Sequence, residues 1–185
     1  MTNGSGPTPT KQAVLNRLAE EQATWDALIA EVPPAWAVEP NAMGAWSFKD
    51  VVAHLTGWRQ PLVNDLVAAV QGTPPARLDW PFTRIESEDP THGEARTQAI
   101  NDWLFDQNRD RSYDQVLAEV SLQWTLLRTA VALIPDDLVE RRGVLANLYG
   151  DSLAGAMLGP DAFGHFHDEH EPGIRAWLNA RRAAG

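Results

Sequence analysis

Apolar residues recur along this chain at three- and four-residue spacing, and nowhere settle into the two-residue alternation of a half-buried strand. Val14, Leu18, Trp25, Leu28, Ile29 and Val32 predict a first helix from about Thr10 to Val32, stopped by Pro33-Pro34. Phe48, Val51, Leu55, Trp58, Leu62, Leu66 and Ala69 form a second stripe. Ser47 precedes it as an N-cap with Asp50 three residues on, and the helix extends to about Val70, bent at Pro61. Residues 72 to about 96 are the least regular, with a short helix following from Arg96 to Asp106. Ser112 and Gln115 make a second capping box, opening a helix with Val116, Val120, Trp124, Leu127, Val131 and Ile134 on one face. Residues 136 to 159 read as irregular, and a last helix runs from about Pro160-Asp161 towards Arg182. The expected architecture is an all-α bundle of four helices with a long excursion between the second and third. Residues 10–185 form its single domain behind a flexible tail of residues 1–9.

Composition narrows the function classes. The formal net charge is −10, and the only lysines are Lys11 and Lys49, so no basic surface for nucleic acid is expected. Cysteine is absent, which removes disulfides, thiolate ligands and a cysteine nucleophile, as suits a cytoplasmic protein. No signal peptide or membrane-spanning run is read from the sequence. The eight tryptophans are first of all core material.

The candidate chemistry lies in the histidines. Four of five sit in two segments, one around His54 in the second helix and one spanning His165, His167 and His170 in the last. Converging imidazoles suit a transition metal or proton transfer near neutral pH. At about 100° per residue, His170 falls on the core side of the last helix with His167 within about 60° of it, while His165 points the other way with Asp168 and Glu169. The nominated metal ligands are therefore His54, His167 and His170; Glu171 takes the place of His170 if the winding slips at Pro172, and a ligand role for His165 stays open. His92, in an acidic irregular stretch, reads as a surface residue, and Asp65 stands too far along its helix to join His54.

Three neutral nitrogen ligands and an open position would make a catalytic rather than a structural metal site. Without a metal, His54 and His170 can serve as general base and acid. Trp46, Trp58 and Trp103 are candidate apolar walls for the pocket.

Trp46-Ser-Phe-Lys-Asp-Val-Val-Ala-His54-Leu-Thr-Gly-Trp58 resembles a segment of the DinB-like superfamily, and most closely the ClbS/DfsB family. Asn101-Asp-Trp103, Ser112-Tyr-Asp-Gln-Val116 and Gly164-His165-Phe166 with Glu169-His170 are also similar, so the resemblance runs from about residue 11 to 178. It implies a pocket between the second and fourth helices, a divalent metal such as Zn, Ni or Fe held by one histidine of the second helix and a pair of the fourth, and in some members a low-molecular-weight thiol co-substrate. It further implies hydrolysis or thiol transfer on a reactive electrophile, including self-protection against reactive natural products. His54 carries over directly. The family's pair is His-x-x-x-His, whereas His165 and His170 are five apart, which leaves helix phase and His167 as the guide. A small molecule is the expected partner. The alternatives are a protein that sequesters a ligand without turnover, and a bundle with structural histidines that serves as a homodimer.

Overall fold

Each long helix starts where the sequence offers a cap. The computed structural model describes residues 8–80, 90–159 and 163–184. Helix α1 (Pro9–Ala30) opens with the Thr8 side chain accepting from the Lys11 amide and with proline in its first turn. The helical chain thus begins inside the segment expected as a tail. A four-residue turn α2 (Pro34–Ala37) follows the Pro33-Pro34 stop. Helix α3 (Phe48–Gln71) carries the expected capping box of Ser47 and Asp50, contains Pro61, and ends on Gly72 in the left-handed region at φ 66°.

Helix α4 (Pro90–Asn108) is longer than its apolar pattern suggested, and α5 (Tyr113–Leu133) starts from the Ser112–Gln115 box. The stretch expected to be irregular contains α6 (Asp136–Glu140), a short 3₁₀ turn (Ala146–Leu148) and α7 (Leu153–Leu158). Each is too short to show a period in sequence. The chain then enters α8 (Glu171–Ala184) through a π-helical turn, His165–His170. The expected start of the last helix at Pro160-Asp161, part of the irregular segment (81–89) and the His92 side chain lie outside the described residues.

The fold is all-α. Among the described residues the sole β-type pairing is an isolated bridge between Met43 and Trp46. Helix α3 packs on α5 and α4, and α1 packs on α5, α6 and α7. Val14, Leu18, Leu28, Val51, Leu66, Val120, Trp124, Leu127, Ile174 and Leu178 meet in one continuous core. Helix α8 joins it through Trp177, stacked on Phe48 with ring centroids 6.3 Å apart, and through Arg182, paired with Glu31 at 3.1 Å.

By length and composition α5 is the one helix among the described residues that passes as a membrane span. In this fold its stripe of Val120, Trp124, Leu127 and Val131 is buried against the neighbouring helices.

Two contacts hold the helices that frame the histidines. A Cβ at Gly57 would stand 2.3 Å from Leu104 Cδ2, so glycine there lets α4 close directly on α3. The buried Lys49 ammonium, at the start of α3, donates to the carbonyls of Asn108, Arg109 and Arg111 at 3.2, 2.8 and 3.2 Å. Asn108 is the last residue of α4 and Arg109 and Arg111 lie in the turn just after it, where a cation is the partner that the helix dipole favours. One lysine thus ties the end of α4 to the beginning of α3.

Candidate metal centre

The His54 segment is built residue by residue for position. A tight turn from Met43 to Trp46, with the Trp46 amide donating to the Met43 carbonyl at 3.0 Å, delivers Trp46 over the first turns of α3. Its ring lies 5.0 Å from the His54 imidazole. Ser47 and Asp50 start the helix, and His54 follows two turns later with only 4% of its surface exposed. One turn on, Trp58 closes a second side, with its indole N–H donating to Asn101 Oδ1 on α4 at 2.9 Å.

The other two imidazoles come from the π turn. His54 Nε2 lies 3.2 Å from His165 Nε2, which lies 3.3 Å from His170 Nε2. One nitrogen from each of the three rings falls within 4.8 Å of the others. The sequence-derived set therefore changes. His54 and His170 converge as expected, His165 joins them, and His167 does not.

The reason lies in the winding. In an α-helix residues five apart are separated by about 140° around the axis, which set His165 opposite His170. Here the Glu171 amide donates to the carbonyl of Phe166, five residues back, and this wider turn sets His165 and His170 on one face. Pro172 supplies a physical cause. It has no N–H for the Asp168 carbonyl and its ring crowds that group in an α-helix, a conflict that a π turn just before it relieves.

His167 instead points to α1. Its Nε2 lies 2.8 Å from Glu21 Oε2 and its Nδ1 2.8 Å from Glu171 Oε2. Glu21, just 6% exposed, is also paired with Arg17 at 2.8 Å, and Glu171 with Arg175 at 2.6 Å. Burial disfavours charge on His167, but the two carboxylates outweigh it and hold its pKa above the ordinary value. With Trp25 edge-on to Phe166 at 4.8 Å, this network fastens the π turn to α1. Asp65, buried, accepts from the Asn147 amide at 2.9 Å and is structural.

The three clustered rings suit a cation. Burial, then the neighbouring histidines, push the His54 pKa down to about 3. Burial, then His165, push that of His170 down to about 4. Both are neutral near pH 7, the form that ligates. Glu169 Oε2 sits 3.1 Å from His165 Nδ1, which keeps that ring's proton on Nδ1 and turns its Nε2 lone pair to the cluster. The Nδ1 atoms of His54 and His170 are buried without a partner, so only His165 has a carboxylate behind it. Tetrahedral coordination at about 2.0–2.1 Å places ligand nitrogens about 3.3–3.4 Å apart, close to the two separations that His165 makes with His54 and His170. These three histidines can hold a metal ion.

The three histidines line a cavity of about 540 Å³, large enough for a small molecule. Trp46 and Trp58 supply apolar walls, with Thr97, Asn101 and Glu169 as the polar groups. Trp103, expected as a third wall, lines a separate cavity of about 280 Å³ with Gly57 and Leu104. The clustered histidine that helix phase missed is His165, and the spacing of five residues to His170 with proline two further on is the signal that could have found it.

No protein-family model, curated protein or solved structure matches the chain. The resemblance to DinB-like proteins therefore rests on the sequence motifs alone.

Proposed function

We propose that the chain is a DinB-like enzyme of the ClbS/DfsB kind that modifies a reactive electrophile by hydrolysis or thiol transfer, in the cavity capped by His54, His165 and His170. One observation carries this reading: three imidazole nitrogens at 3.2 and 3.3 Å, two of them on rings held neutral, facing a cavity with two tryptophan walls. A divalent ion such as Zn, Ni or Fe fits this donor set, and would act as a Lewis acid that lowers the pKa of a water or thiol at its open position.

The chain's own groups have defined tasks. Glu169 fixes the His165 tautomer, and the His167 network fixes the turn on which His165 and His170 sit. Trp46 and Trp58 keep the reacting end of the cavity apolar, which strengthens every electrostatic interaction in it. Without a metal, neutral His54 would instead accept the proton of the attacking water or thiol, and that same proton would return to the opened electrophile through His170, whose ring centroid lies 5.2 Å away.

The test pairs metal analysis with turnover of 4-nitrophenyl acetate as a model electrophile. About one divalent ion per chain, with release of nitrophenol beyond one equivalent that is lost on chelation and regained with zinc or cobalt, supports the reading. Stoichiometric release with no turnover would instead favour a sequestering protein.

A further inference from the structure

Asn101 is the polar side chain of the cavity whose hydrogen-bonding capacity is half used. An indole N–H can only donate, so the atom that Trp58 Nε1 meets at 2.9 Å is the amide oxygen. This fixes which way the amide faces. Its Nδ2 group donates to nothing among the described residues, and it is not among the buried unpartnered atoms. It is therefore accessible, on a residue that lines the same cavity as the histidines. Helix α4, which carries Asn101, is held to α3 by the Gly57–Leu104 contact and by Lys49, so the donor is presented on a rigid element.

The charge of the lining sets the kind of acceptor. Among the described residues the lining (Trp46, His54, Trp58, Thr97, Asn101, His165, Glu169 and His170) includes no lysine or arginine and one carboxylate. In the metal-free cavity a carboxylate or phosphate group would meet Glu169 with no cation among the described lining residues, at a cost in desolvation and repulsion. A neutral carbonyl oxygen meets the amide donor without that cost, and a flat apolar body suits the two indole walls. We infer that Asn101 determines specificity in this cavity, and that its ligand is a neutral, flat compound presenting a carbonyl-type oxygen to Asn101 Nδ2. This names the substrate class of the proposed site and rests on that reading for its chemistry, though not for the binding.

The test uses the full chain after dialysis against a chelator, when the only charges at the cavity are the protein's own. Benzamide and benzoate are the probes, followed by tryptophan emission and by calorimetry. Benzamide should bind about tenfold more tightly than benzoate. Asn101→Ala should weaken benzamide by about three- to tenfold, in line with one neutral hydrogen bond. Trp58→Phe, which removes the indole that orients the amide, should weaken it in the same direction, and helical circular dichroism shows that both variants fold. Equal or tighter benzoate binding, no saturable benzamide binding, or unchanged affinity in folded Asn101→Ala would each overturn the inference. A separate cobalt titration of the wild type distinguishes the two readings. Probe discrimination without cobalt binding defeats the metal site and leaves this assignment standing, and cobalt binding without discrimination does the reverse.

Discussion

His165 and His170, five residues apart on one turn, bring their Nε2 atoms to 3.3 Å. That spacing is incompatible with a shared face on an α-helix and follows from the π-helical winding between them. Three imidazoles meet because the chain departs from regular helix where the third one is needed.

The winding itself can be tested at Pro172. Pro172→Ala restores an amide to the position after Glu171 and removes the ring that crowds the Asp168 carbonyl. The turn can then relax to α-helix, which carries His165 away from His170. Cobalt affinity should fall at least tenfold while thermal stability holds or rises. Unchanged affinity would show that the π turn has a cause other than this proline.

Lys49 gives a prediction about stability. Its ammonium is buried and donates to three carbonyls, one at the end of α4 and two in the turn after it. Lys49→Met keeps the apolar stem and takes the ammonium from the Arg109 and Arg111 carbonyls, while that of Asn108 keeps the Arg111 amide, at a cost of about 1–3 kcal/mol. Urea unfolding measures the loss, and hydrogen exchange should show it concentrated in α4. A variant as stable as the wild type would contradict the clamp.

Asp136 supplies the pH dependence. A hydrogen bond from Lys11 and another from the Thr8 amide hold its carboxyl below the usual aspartate value, against the effect of burial. A group with a lowered folded-state pKa contributes stability above its unfolded pKa of 3.8 and loses it as pH falls through the folded value. Asp136→Asn should therefore be less stable than the wild type at pH 7, with the difference closing below about pH 4. Urea midpoints at pH 7 and pH 3 decide it, and a constant gap would show that the carboxylate's charge is not what matters.

The long helices were legible because their ends are chemical. Ser47 with Asp50, Ser112 with Gln115, Pro33-Pro34 and Gly72 mark boundaries that the folded chain keeps. His54 was legible from its motif, whose other members now have physical roles. Trp46 and Trp58 are walls, Lys49 caps α4, and Gly57 admits Leu104. The last helix misled because a constant 100° per residue cannot represent a π turn. It assigned to His167 the place that His165 takes, and left Glu21, on a helix far away in sequence, out of account as the partner of His167. The short α6 and α7 passed unseen because one turn of helix shows no period.

The most direct test is cobalt titration of four single variants beside the wild type, read by visible absorption and calorimetry. The wild type should bind one equivalent. His54→Ala, His165→Ala and His170→Ala should each weaken binding at least a hundredfold, as expected when one of three nitrogen ligands is removed. His167→Ala should retain the ion more tightly than any of these and show its loss chiefly in stability, because its nitrogens face Glu21 and Glu171. Binding that survives His165→Ala but disappears with His167→Ala would contradict the π-turn site and return the ligand set to the one helix phase selects.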